Sequence, residues 1–291
     1  MNQRIVFHLV ALFAMATFMA SCEADDHPMA PEQLVVEGWI DEDGYPMVFL
    51  TTSLAPTDTY MSSEELSDHL LRWARVTVSD GEQEVVLMGK STDKYFPPYV
   101  YTTVYMKGIA GRTYKLTVDY GNHHAEAETT IPKSIPIDTI WTTPCEDNDT
   151  LFHIHLQFTD NPTTHDHYMV FTRTWGNNLN WMPCFLGSFD DANFSDSTIV
   201  LSLRQGLGIG GGRHQMYFDR SGIVDVKLAH IDSTAWEFWQ AYGRCTTYTD
   251  NFLSSPQSLP YNVHGALGYW QGMGADFRSV RFLGSLTHFE W

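Results

Sequence analysis

Apolar and polar residues alternate in short runs along most of the chain. Leu34-Val35-Val36-Glu37-Gly38-Trp39-Ile40 opens the series, and Val48-Phe49-Leu50 follows a turn at Asp43-Gly44. Arg75–Val78 and Val85–Met88 flank Asp80-Gly81, a dipeptide favoured in tight hairpins. Tyr101–Tyr105 and Tyr114–Val118 alternate, and Gly121-Asn122 turns the latter into Ala125–Thr130. A period of two sends successive side chains to opposite faces, so each run predicts a half-buried strand. Between them, Ser62–Trp73 carries the spacing of one short helix. Ile131-Pro132-Lys133-Ser134-Ile135-Pro136 breaks the pattern, because its prolines fix an extended backbone and remove donors. Beyond it Phe152–Phe158, Tyr168–Thr172, Ile199–Leu203, Ile223–Leu228 and Val280–Phe289 alternate again. One helix is predicted from Thr234, with a capping box at Thr234–Glu237, a face of Trp236, Trp239 and Tyr242, and a stop at Gly243. The fold class that results is mostly β: an immunoglobulin-like or transthyretin-like sandwich over 34–131, then a second β-rich domain over 137–291 with one short helix.

The amino end follows another rule. Ile5–Met19 is a nearly continuous apolar run behind Arg4, shorter than the ~20 residues a spanning helix needs. It reads as a secretory signal occupying 1–21. Met19-Ala20-Ser21-Cys22 fits a lipobox, with a bulky apolar residue, two small residues for a narrow peptidase pocket, and a thiol to accept lipid. Cys22 is therefore expected to be the acylated first residue of the processed chain. Residues 22–33 form an acidic linker held extended by Pro28 and Pro31.

Charge narrows the partners. The formal net charge of the 291 residues is −18, and removing 1–21, whose only charge is Arg4, leaves −19. Such a surface repels nucleic acid and anionic headgroups. Cys145, Cys184 and Cys245 remain, an odd number that allows at most one disulfide, with all three pairings open. Gly206–Arg213 contains G-x-G-x-x-G, but strand-like residues follow it where a dinucleotide site needs a helix, so it reads as a loop. No Walker, G-x-S-x-G or H-E-x-x-H pattern occurs, and no catalytic residue is assigned. The adjacent acids Asp190-Asp191 could serve glycoside cleavage only opposite a facing carboxylate ~5–10 Å away. His153-Ile154-His155 and His165-Asp166-His167 each place two imidazoles on one strand face, usable geometry for a transition metal, the one cofactor the spacing admits. The ligand-binding face is expected at the glycine loop, through Gly208, Gly210 and Arg213, together with Trp181.

Four segments in order carry a resemblance. These are Leu34–Ile40 near the processed start, Gly111-Arg112-Thr113-Tyr114-Lys115-Leu116-Thr117-Val118, Ile137-Asp138-Thr139-Ile140, and Asn262-Val263-His264-Gly265-Ala266-Leu267-Gly268-Tyr269-Trp270. Together they resemble a Bacteroidetes outer-membrane lipoprotein family, domain of unknown function 4249, over nearly the whole processed chain. Ala266 and Trp270 stand where that family usually has Gly and Phe. Glu23-Ala24-Asp25-Asp26 resembles the surface-export signal of such lipoproteins. The resemblance implies a β-rich lipoprotein on the outer membrane, facing the exterior, beside a TonB-dependent transporter, and it implies no catalytic residue. The expected function is an accessory binding component of nutrient uptake. A surface hydrolase of glycan or peptide and a non-enzymatic adhesin are the alternatives.

Overall fold

The computed structural model describes residues 32–53, 67–146, 148–175, 180–206, 216–247 and 259–282. Among them the chain is mostly β, in two sheets, with one α-helix and one 3-10 turn at Asp191–Asn193. None of the helices searched is long and apolar enough to cross a membrane.

The first module contains β1 (Leu34–Asp41), β2 (Met47–Thr52), β3 (Arg75–Ser79), β4 (Glu84–Ser91), β5 (Tyr99–Thr102), β6 (Thr113–Tyr120) and β7 (His123–Thr130). It is completed from the far end of the chain by β15 (Leu267–Arg281). Hydrogen-bonded order runs β15-β1-β2-β5-β4-β3-β6-β7. The layer curls over, so that edge strand β7 returns to the β15 segment through a Glu126–His264 bridge and a 2.7 Å bond from Gly272 N–H to Thr129 Oγ1. Inside lie Val36, Ile40, Val76, Val78, Tyr114, Leu116, Val118 and Trp270, all essentially inaccessible to solvent. They come from alternate positions of their strands, as a half-buried pleat requires. The helix anticipated in Ser62–Trp73 lies mostly outside the described residues. Its described end buries Leu70 and Leu71 and leaves Trp73 exposed.

The second module packs a small sheet on the other half of the large one. In the small sheet β9 (Asn148–Thr159) is flanked by β8 (Ile137–Cys145) on one side and by β12 (Thr198–Leu203) and β13 (Phe218–Asp219) on the other. Phe152, Ile154, Leu156 and Phe158 of β9 point inward. They meet residues of β10 (His167–Thr174), β11 (Met182–Asp190) and β14 (Ile223–Ile231), which continue the large sheet beyond β15. On the opposite face of that sheet lies α1 (Ser233–Thr247), whose Ala235, Trp236 and Trp239 pack with Met169, Phe171, Ala229 and Ile231.

Two details of the helix differ from expectation. The cap is Asp232, whose carboxylate accepts the Ala235 N–H at 2.7 Å, and not Thr234. Gly243 lies inside the helix, which continues to Thr247. The expected start of the second unit at Ile137 coincides with a change of core, since Ile131 belongs to the first cluster and Ile137 to the second. The module division is not sequential, however: β15 pairs through Leu267–Met273 in parallel with β1, and through Gly274–Arg281 antiparallel with β14.

Candidate functional site

The reversal from β9 into β10 concentrates chemistry. His165 and His167 flank Asp166 at the entry to β10, and β11 ends opposite at Asp190, where the chain turns into Asp191. His165 Nε2 lies 2.8 Å from Asp190 Oδ1 and 3.6 Å from Asp191 Oδ1, and His167 Nε2 lies 3.8 Å from Asp190 Oδ2. The two segments are fixed by backbone. Asp191 N–H donates to Asp166 O at 3.1 Å, and Asp166 N–H donates to Asp191 Oδ2 at 2.9 Å. His230 of β14 places Nε2 3.3 Å from Asp166 Oδ1 while its Nδ1 lies 2.9 Å from Lys133 O. Below, buried Asp160 accepts a short hydrogen bond from Tyr168. The mouth of the cluster is open at His165, whose side chain is 62% exposed, whereas those of His167 and Asp191 are only 11% exposed.

The electrostatics follow from that placement. Hydrogen bonding and charge from Asp190 raise the pKa of His165. Burial lowers that of His167, with Asp190 opposing. For Asp190 burial pushes upward, but the Ala192 N–H and His165 together outweigh it and hold the carboxyl below its ordinary range. Burial and then Asp160 push the Tyr168 phenol far up, so it remains a neutral donor. Donor atoms of His165, His167 and Asp190 lie within 4.8 Å of one another, as do carboxylate oxygens of Asp160, Asp166 and Asp191. This is the only described cluster in which histidines and carboxylates converge in metal-ligand fashion.

The other expected site residues part company. His153 and His155 do share the outer face of β9, with rings 6.0 Å apart. Their surroundings are aromatic, with His155 stacked on Trp141 and His153 edge-on to Tyr217. His155 Nε2 is engaged by Thr143 Oγ1 at 2.8 Å, and among the described residues no third ligand group joins the pair. Burial, then His153, lowers the pKa of His155. Cys22, Gly208, Gly210 and Arg213 lie outside the described residues. Cys184 is buried in the second core, where burial pushes its thiol up to about 12, with Thr172 hydrogen-bonding against the rise; it is no nucleophile at neutral pH.

Trp181 belongs to a second polar-aromatic cluster, on the helix-facing side of the large sheet. The Arg173 guanidinium lies over its ring at 4.3 Å, and Phe277 is 5.7 Å away. Arg173 Nε donates to Asp225 at 2.8 Å, and Asp225 also accepts from Trp175 Nε1 and Ser279 Oγ. One residue pair further along β14, Lys227 is fully buried between Phe171 and Trp181, with Nζ 3.3 Å from Asp41 Oδ1 of β1. Sequence reading missed this pair, because alternation along β14 marks Lys227 only as polar. Burial lowers its pKa and Asp41 resists the fall.

The comparisons agree with the fold. The model of a family described as domain of unknown function (DUF4249) matches residues 21–276, and the chain belongs to that family. Compared with curated proteins, the chain matches none. The four segments that carried the resemblance now have physical roles. Asn262 clamps the backbone of Trp270, accepting its N–H at 2.9 Å and donating to its carbonyl at 2.7 Å. Gly268 sits at φ +110° where a Cβ would collide with Val36 O of β1, so the close approach of β1 and β15 requires glycine there. Trp270 buries its ring in the first core and donates from Nε1 to Tyr114 O at 3.0 Å, which joins the closing segment to the Gly111–Val118 segment.

Proposed function

We propose that this chain is a lipid-anchored, non-catalytic binding component on the outer face of the outer membrane, capturing a nutrient or handing it to a TonB-dependent transporter. The observation that supports this reading best is where the family match begins. It starts at residue 21, immediately before Cys22, so the unit shared by the family and the chain left after the expected processing start together. An acyl chain contributes ~0.8 kcal/mol per buried methylene, and more than one chain makes residence stable. The acidic linker 22–33 then sets the folded body away from an anionic membrane surface. The inert thiol of Cys184 agrees with a binding role.

The test is fractionation of the producing cells with Cys22→Ser beside the parent chain. The parent is expected in the outer-membrane fraction, digested by protease added to intact cells, and crosslinked to a barrel protein. Cys22→Ser is expected in the soluble fraction. Membrane retention of Cys22→Ser overturns the anchor, protection of the parent from external protease overturns the outward orientation, and crosslinking that never yields a barrel overturns the transporter partnership.

A further inference from the structure

We propose that His165, His167 and Asp190 form a binding site for one divalent transition-metal ion of the zinc type, with Asp191 as the adjoining carboxylate. Four observations lead there independently of the membrane anchor.

The first is donor geometry. Tetrahedral coordination with bonds of ~2.0–2.2 Å sets neighbouring ligand atoms ~3.3–3.5 Å apart. The pairs here, 2.8 Å, 3.6 Å and 3.8 Å, bracket that spacing, so sub-ångström adjustments seat an ion. The second is uncompensated charge. Asp160, Asp166, Asp190 and Asp191 crowd one loop pair, and among the described residues no lysine or arginine bridges any of them; their ion-pair partners are histidines alone. A divalent ion supplies the missing positive charge. The third is support behind the ligands. Asp190 Oδ1 is held by the Ala192 N–H at 2.8 Å, and Asp191 Oδ2 by the Asp166 N–H at 2.9 Å, leaving the other oxygens turned to the histidines. Such outer bonds orient ligands in metal sites.

The fourth is an orphan donor. Trp236 of α1 packs its ring 4.8 Å from that of His167. Its Nε1 is buried and has no hydrogen-bond partner, a state that costs free energy unless an oxygen outside the protein fills it. A water or anion carried on the ion, entering from the exposed His165 side, would do so. Two imidazoles with carboxylates select a borderline ion over calcium or magnesium, which prefer all-oxygen shells.

The experiment is calorimetric titration of zinc chloride into the untagged full chain, purified in detergent and stripped with chelator. One ion per chain is expected, with micromolar or tighter affinity. His165→Ala and Asp190→Asn are each expected to weaken it at least tenfold, and His153→Ala to leave it unchanged. Cobalt(II) in place of zinc is expected to give the visible absorption of a four- or five-coordinate nitrogen–oxygen site, a readout on the parent chain that needs no variant. Absence of micromolar binding, affinity unaltered in His165→Ala, or equal loss in His153→Ala overturns the site. Loss of the anchor in Cys22→Ser bears on none of these outcomes.

Discussion

Lys227 shows how a single residue can be costly alone and tolerable in company. Its ammonium lies in the layer beneath α1 with Asp41 as its one carboxylate and Phe171 and Met273 around it. Breaking a buried pair from one side strands a charge, whereas replacing it with a well-packed apolar side chain does not. Asp41→Ala is therefore expected to cost about 3–5 kcal/mol in urea unfolding. The double variant Asp41→Ala/Lys227→Met recovers most of that loss. The pH response has a defined sign. Because burial depresses the Lys227 pKa in the folded chain, the unfolded chain holds more protons in the window that ends near its ordinary value of about 10.4. Stability contributed by this residue rises with pH across that window, and Lys227→Met removes the rise in unfolding midpoints measured along a pH series.

At the scale of elements, β15 is the strand on which both cores depend. Trp270, at its inner turn, is the largest fully buried side chain among the described residues. Trp270→Ala is expected to destabilise by about 3–5 kcal/mol, and Asn262→Ala by about 1–3 kcal/mol through the two backbone bonds it leaves unmet, both read from urea midpoints. Much of the β content could be read in the sequence, because one-sided burial writes period-two alternation: β6, β9, β12 and β14 emerged that way. β11 did not, since Pro183 and Gly187 interrupt its alternation, a composition an edge strand tolerates. β15 was recognised only in pieces. Its first half faces one core and its second half another, so no single pattern covers Leu267–Arg281. Of the candidate metal ligands the sequence supplied His165 and His167 by their spacing. Asp190 is brought to them by a strand pairing that local spacing does not encode.

The whole molecule is one interlocked body. Beyond β15, Ser134 N–H donates to Glu42 Oε2, Ile137 N–H to Asp276 Oδ2, and Asn180 exchanges two hydrogen bonds with the Phe96 backbone. A fragment ending at residue 136 therefore lacks Trp270, the β1 partner and the Glu126–His264 bridge. It is expected to be largely unfolded or protease-sensitive, as judged by circular dichroism and limited proteolysis, whereas the chain containing 32–282 melts in a single calorimetric transition. Two transitions, or a fragment that folds unaided, would show the modules to be independent.

That arrangement also fixes an order of events at birth. β1 leaves the ribosome early and its parallel neighbour almost last, so at ~5–20 residues per second the amino-terminal half waits on the order of 10–50 s for its closing strand. During that interval the chain remains threadable through a narrow pore, and the lock snaps shut only once the carboxyl end has come through.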